Sequence, residues 1–491
     1  MSLSAGLNIA RSALAAVSGQ TSVISRNISA LNDPYYARRT ANVTSLASGS
    51  GVEISSITRS TDKVLFSTKI DAASRATMHE EIAAALNALE KTVNDPALGR
   101  SPSALIGKFS DALQLYANAP HDVTAATSAV ASAVNLANAL NDANNTVQGV
   151  RAQADADMAS SVDRINTLLS RLEDVNSIIV SQTDTAGDLS DYLDQRDQIL
   201  TQLSEEIGIK TVARGKNDIV VYTDGGVTLF ESKARAVTFQ PTGAFTGGVE
   251  GNAVYVDGVP VTGDTAGMKT HSGRLAGFAA VRDNLAPAYQ AQLDEMARGL
   301  IVAFRESDQT TPAALPDVPG LFTWSGAPAM PGSAVVPGIA GSIKVNATVN
   351  PMAGGNANLL RDGGISSPGN PAYTYNDTGV AGFSGRLREL LDTLATPQGF
   401  DPAAGLGTNV TLAKYAASSA GWLAETRKTA TGDSEYSTTL FNRASSALSN
   451  VTGVSLDEEM SIMLELERSY QASAKIVATI DAMFDTLLAT V

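Results

Sequence analysis

Two matching apolar stripes, one at each end of the chain, constrain this sequence more than anything else in it. From Leu3 the first stripe steps by four and three residues through Leu7, Ala10, Leu14, Val17, Thr21, Ile24, Ile28 and Leu31. The last segment repeats the pattern from Leu456 through Met460 and Met463, then Tyr470, Ala474, Val477, Phe484, Leu488 and Val491. Such spacing sets one residue per helical turn on a single seam, the arrangement by which two helices pack along their length. Two seams at opposite termini are natural partners. A chain closed by such a pair runs out to its middle and returns, so the expected shape is an elongated rod.

Between the stripes, breakers and periodicity divide the chain. The first helix is expected from about Ser4 to Leu31 and ends at Asn32-Asp33-Pro34, because proline restricts the residue before it and cannot continue the ladder. Residues 35 to 58 read as extended. Helical periodicity returns from about Thr61 to Asn94, where Ile82, Leu86, Leu89 and Val93 share a face and Asp95-Pro96 breaks the run. Further helices are expected over 105–117, 124–183 and 189–207.

At Gly208 the pattern changes to alternation. Ile219-Val220-Val221-Tyr222 and Val227-Thr228-Leu229-Phe230, separated by Gly225-Gly226, read as a hairpin. Residues 253–259 read as a strand and turn. One helix is expected from Gly273 to Phe304, then a Pro- and Gly-dense stretch over 307–404, then helix from near Arg386 and from Asn409 to the end. The fold class expected is therefore mostly α with a β-rich insertion. A terminal coiled-coil domain takes 1–45 and 452–491, a helical bundle 46–208, 272–306 and 405–451, and a β-rich outer domain 209–271 and 307–404. The third is expected to face outward, because a nested insertion projects away from paired termini.

Composition excludes several functions. Net charge is −15, which disfavours nucleic acid and anionic membrane surfaces. There is no cysteine, so disulfides, thiolate catalysis and Cys-bound metals are ruled out. No apolar run is long enough to span a bilayer, and no cleavable secretory leader is visible. The three histidines, His79, His121 and His271, stand far apart, and none belongs to a metal-binding pair. Nucleophile-elbow and phosphate-loop spacings are missing too: Gly49-Ser50-Gly51 and Gly382-Phe383-Ser384-Gly385 fail the first, Gly107-Lys108 and Gly215-Lys216 the second. The expectation is a protein with no catalytic residues, metal or cofactor. A secreted enzyme carried on an axial scaffold is the competing reading of another class, and would need its catalytic groups within 209–404.

Two polar clusters stand out. Ser455, followed by Asp457, Glu458 and Glu459, reads as a capped helix start: Ser455 caps, Glu458 reaches back, and the acids favour the positive end of the helix dipole. Asp194-Gln195-Arg196-Asp197 is a dense polar run within a helix, either a solvated face with an internal salt bridge or something more specific.

These clusters also carry a resemblance. Residues 454–460, with Ser469-Tyr470-Gln471-Ala472 and 481–488, resemble the C-terminal signature of bacterial flagellar axial proteins. Asn27-Ile28 through Asn32, then Pro34, Tyr36 and Arg38-Arg39, resemble the N-terminal one. The run 192–200 around Asp194, Gln195, Arg196 and Asp197 is similar to a helix of the hook-associated members of that family. So are 273–277, Arg282-Asp283 and 292–294. The sequence departs from the family at Ala30, Asp33 and Tyr35, where Asn, Thr and Gly are usual. A tyrosine in place of that glycine disfavours a left-handed turn, so a turn of different shape is expected.

The resemblance implies a structural subunit of the flagellum that joins hook to filament and leaves the cell by the flagellar type III route. It implies as partners further copies of the chain in a ring or helical array, the hook protein, a second hook-associated protein and an export chaperone. A hook or distal rod protein is the alternative within the family. The axial assembly interface is expected along Leu3, Leu7, Leu14, Val17, Ile24, Ile28, Leu31, Leu456, Met460, Met463, Tyr470, Val477, Phe484 and Leu488.

Overall fold

The computed structural model describes residues 3–46, 51–93, 99–184 and 187–489. Gly49-Ser50, the break at Asp95-Pro96 and the final stripe residue Val491 lie outside the described residues. The chain is mostly helical, with small antiparallel sheets and a long helix at its C-terminal end.

Helix α1 (Leu3–Ser29) stops two residues short of the expected Leu31. The antiparallel strands β1 (Arg39–Ser45) and β2 (Val52–Arg59) follow. Helix α2 (Lys63–Val93) begins just after Asp62, whose carboxylate accepts from the Val64 and Leu65 N–H groups, both at 2.9 Å. That cap sets the helix start a turn-half later than apolar periodicity alone suggests. Helix α3 (Pro102–Asn118) is capped by Ser101 and has proline in its first turn, where no N–H is missed. Asp122 caps α4 (Val123–Gln182), the 60-residue spine of the molecule. Helix α5 (Ser190–Glu206) returns beside it.

The alternating region forms a four-stranded antiparallel sheet in chain order: β3 (Ile209–Ala213), β4 (Ile219–Thr223), β5 (Thr228–Glu231) and β6 (Lys233–Ala234). The expected hairpin is β4–β5, closed through Gly225-Gly226. A smaller sheet joins β7 (Val237–Thr238), β8 (Tyr255–Val256) and β9 (Val259–Pro260).

The single helix expected over 273–304 is instead α6 (Arg274–Ala280), a π-helical turn at 281–285, and α7 (Ala286–Ala303). Pro287 accounts for the interruption, since its ring crowds the preceding turn and it has no N–H for the ladder. Gly273 has φ of +88° and its N–H donates to the Ser74 carbonyl at 2.8 Å; a Cβ there would fall 2.6 Å from the Ile207 Cα. Gly277 lets α6 lie against α2, where a Cβ would sit 2.8 Å from the Met78 carbonyl oxygen.

The stretch 307–404 is less β-like than expected. It holds two-residue strand pairs and single turns, including α8 (Ile339–Ser342) and α9 (Leu359–Asp362), before α10 (Gly385–Ala395). Proline and glycine density prevents longer ladders. Helix α11 (Leu412–Thr452) then packs along α2, and α12 (Leu456–Ala489) packs along α1.

Two hydrophobic clusters divide α4 between them. Its first half, with Val130, Leu136 and Leu140, packs with Phe109 and Leu113 of α3, Leu293 and Leu300 of α7, and Phe322, Ile343 and Phe400. Its second half, with Met158, Ile165 and Leu172, packs with Leu203 of α5 and with Val221, Leu229 and Phe230 of the sheet. The stretches 209–271 and 307–404, expected to form one outer domain, thus lie against different halves of α4 and share no sheet. Each β-poor segment found its own helical wall, because short strands cannot bury an apolar face without one.

The polar residues singled out in 273–294 turn out to fasten these layers. Arg274 pairs with Glu206 at 2.9 Å and Glu81 at 3.3 Å. Arg282, fully buried, pairs with Asp155 at 2.6 Å and Asp283 at 2.8 Å and donates to the Asn252 carbonyl. Asp294 accepts from the Gly338 and Ala340 N–H groups at 2.9 Å each, and Gln292 accepts from Ser419 at 2.7 Å.

Candidate assembly site where both termini meet the bundle

Segments far apart in sequence converge at one joint. Asn27, in the last turns of α1, is fully buried. Its side-chain amide donates to the Arg39 carbonyl at 2.9 Å and to Glu459 of α12 at 3.0 Å. Its side-chain oxygen accepts from the Tyr36 hydroxyl at 2.8 Å and from the Arg39 N–H at 3.1 Å. An asparagine suits this position because it offers two donors and an acceptor at once. Glu459, 1% exposed, takes the Arg38 guanidinium on its other oxygen at 2.6 Å. Arg38 also reaches Glu458 at 3.2 Å, and its backbone N–H donates to the Thr452 carbonyl at 2.8 Å. Glu458 therefore does not close a capping box on Ser455; its charge is used across the chain instead.

The second half of the joint is built by the polar run on α5. Arg39 pairs with Asp191 at 2.6 Å and Asp194 at 2.8 Å, and its guanidinium lies 4.6 Å from the Tyr36 ring centre. Arg59, at the end of β2, pairs with Asp194 at 2.9 Å and Asp197 at 2.6 Å. The cluster is thus neither a solvated face nor an internal salt bridge. It clamps the hairpin of the N-terminal segment to the bundle. Burial pushes the Asp194 carboxyl above its ordinary range, with Arg59 and Arg39 pulling the other way. Burial works against the Arg39 charge as well, but the hydrogen bonds from Asp194 and Asp191 outweigh it and hold the guanidinium firmly charged. Buried ion pairs of this kind specify geometry more than they add stability, since desolvation consumes much of the attraction.

Other motif residues take no part in the network. Asn32, Pro34, Gln195 and Asp457 are exposed. Arg196 lies beneath the cluster and donates to the Asn217 carbonyl. Tyr35 stands outside the positive-φ residues; its N–H donates to Asp33 at 2.9 Å, so this turn closes without a left-handed residue.

Beyond the joint the two stripes fare differently. On α1, Ala10, Val17 and Ile24 are buried and Leu3, Leu7, Leu14 and Ile28 half-buried, while Leu31 falls in the following turn and is 38% exposed. On α12, Met463, Val477 and Phe484 are half-buried, but Leu456, Met460, Tyr470 and Leu488 are exposed within the single chain. The residues of α12 that face inward are Glu459, Leu466, Ser473 and Ile480, seven apart. Leu466 packs with Val17 and Ile24. The inward face is rotated from the expected seam; α12 is apolar on more than one side, and no spacing within it marks Glu459 and Ser473 as inward-facing. Arg59 and Asp191 were also missed, because nothing local marks a surface-looking charge as one that will meet a partner far along the chain.

Residues 86–310 match the family described as flagellar hook-associated protein FlgK helical domain, and residues 446–490 match flagellar basal body rod FlgEFG protein C-terminal. Flagellar hook-associated protein 1 of Bacillus subtilis is 24% identical, with 98% of this chain and 97% of that one covered. The likeness to flagellar hook-associated protein 1 thus runs over nearly the whole of this chain and of that relative. The Escherichia coli member is 25% identical over 62% of this chain and 56% of its own length. The flagellar hook junction protein FlgK from Burkholderia pseudomallei is 21% identical, covering 53% of this chain and 47% of that one, with a TM-score of 0.42. These matches support a structural role in the flagellum for this chain.

Proposed function

We propose that this protein forms the junction between hook and filament, exported by the flagellar type III route and built into the axial tube by its terminal helices. The hook protein on one side and a second hook-associated protein on the other are its neighbours, and an export chaperone guards it beforehand. It works without chemistry. In this reading α1 and α12 wind together as a coiled coil whose seam is completed by other subunits. The observation that carries it is the apolar surface α12 leaves uncovered: Tyr470 and Leu488 on one flank of its inward face, Ile476, Met483 and Leu487 on the other, and Leu464 on its outer side are each half or more exposed, Leu488 to 73%. That much apolar side chain left exposed around one helix is surface awaiting cover from more than one side.

The test is deletion in a flagellated host. Null cells should complete their hooks, release flagellin into the medium and be non-motile. Attached filaments of normal length on null cells would overturn the junction role, and missing hooks would favour the rod or hook alternative.

A further inference from the structure

A cavity of about 580 Å³ opens beside the joint, walled by the 34–37 turn, the end of β2, the start of α2, α5 and the end of α11. Its size is that of a pocket for a short peptide segment or a sizeable ligand, not a gap between side chains. Four cationic side chains line it, Arg59, Lys63, Lys69 and Arg196, against two carboxylates, Asp62 and Asp197. Both carboxylates are already engaged: Asp62 caps α2, and Asp197 holds Arg59.

Lys69 is the unexplained member. It is 8% exposed, yet among the described residues its ammonium makes no hydrogen bond or ion pair. The Tyr35 ring, 5.5 Å from its nitrogen, is its one polar-group contact of note. Burial holds the ammonium below the ordinary lysine range, with Asp197 and Glu205 pulling the other way from beyond pairing distance. The Lys69 nitrogen itself opens to the cavity, while the Nε atoms of Arg59 and Arg196 beside it are buried with no hydrogen-bond acceptor. A largely buried lysine whose nitrogen faces a cavity with no protein partner is poorly solvated there, and an anion entering the cavity would complete it.

We propose that this cavity receives an acidic side chain, carried on a peptide segment of a second copy of this chain, whose carboxylate pairs with Lys69. Charge favours that occupant: each copy carries 50 acidic against 35 basic residues. The aromatic walls, Tyr35, Tyr36 and Phe66, suit the stem of a glutamate or aspartate and the backbone beside it. The site also sits where the terminal pair leaves the bundle, so filling it would set the angle between them in the assembled array. This inference rests on the reading of the protein as a self-assembling subunit.

The test uses full-length chain assembled from an equal mixture of unlabelled and 15N-labelled protein, treated with a water-soluble carbodiimide and mapped by mass spectrometry. The expected product is an amide joining Lys69 to an aspartate or glutamate, with mixed isotope pairs present. In parallel, Lys69→Met should leave the denaturation midpoint of the monomer unchanged or raised, while assembly requires at least tenfold more protein. Lys69 unlinked in assemblies, linked only within single-isotope pairs, or Lys69→Met assembling at the wild-type concentration would each overturn the cavity proposal alone. Wild-type chain that forms no ordered assembly under any condition would overturn the subunit reading as well.

Discussion

The bundle and the terminal helix pair are built from similar Ala-rich helices but hold together in different ways. In the bundle, α4 buries residues on successive turns along its whole length, and Phe109 meets Phe304 and Phe322 at ring-centre distances of 5.2 and 5.8 Å. In the terminal pair, α12 buries four residues over 34, two of them polar, and the shared apolar core reduces to Val17, Ile24 and Leu466 with a few half-buried neighbours. One region is a finished core. The other is a thin contact pinned by a polar joint, with its apolar surplus facing out. The difference teaches that stripe strength in a sequence measures how much apolar surface a helix will bury, without saying whether its own chain supplies the cover.

The contrast can be broken most directly in the bundle. Phe109→Ala should cost about 3–5 kcal/mol, because a buried aromatic leaves a cavity its neighbours cannot fill. Chemical denaturation monitored by circular dichroism should show the main transition moving by that amount. A smaller shift would mean the bundle is less tightly packed than its burial indicates.

Next in size is the joint. Glu459→Ala removes the acceptor of Arg38 and of Asn27, and should cost roughly 2–3 kcal/mol locally, less than a fully buried pair because Arg38 is partly hydrated. Hydrogen exchange should speed up around Tyr36 and the start of α12 while the main unfolding transition stays in place. If the whole molecule were destabilised together, the termini and bundle would be one cooperative unit and the contrast would fail.

A pair of leucines sharpens the seam itself. Leu466→Ala should loosen α1 and α12 in the monomer by about 2 kcal/mol. Leu464→Ala, at a position 55% exposed, should change the monomer by less than about 0.5 kcal/mol yet weaken assembly. Exchange rates in the terminal helices, compared with sedimentation of assembled material, separate the two. The smallest effect belongs to Arg26→Ala: the Arg26–Asp188 pair, 3.4 Å apart with Arg26 43% exposed, should contribute less than about 0.5 kcal/mol to thermal stability.

Much of the helical framework is legible without coordinates. The ends of α3, α4 and α5 fall within a few residues of where breakers and periodicity place them, because caps such as Ser101 and Asp122 act locally. The β4–β5 hairpin is legible for the same reason. The register of α12 was not. Its helix is apolar on more than one face, so a four-three walk can start from Leu456 or from Glu459 with equal ease, and only the position of Arg38 and Asn27 selects the second. The Asp194 cluster was visible as unusual, but its role depended on two arginines 155 and 135 positions away, a relation no local pattern carries.

What the sequence determined by itself is the class of the molecule: helices at both ends that seek long partners, a chain with neither cysteine nor a histidine pair, and motifs shared with the flagellar axial proteins. The first follows from periodicity, which acts within a turn or two, the second from composition, and the third is a resemblance carried by short runs of residues. What only the tertiary structure decided is which face of α12 turns inward, which charges meet at the joint, and that the two irregular stretches settle on opposite halves of α4. Each of these depends on contacts between residues tens to hundreds of positions apart, where burial of surface and pairing of charge choose among arrangements that the local pattern leaves equal.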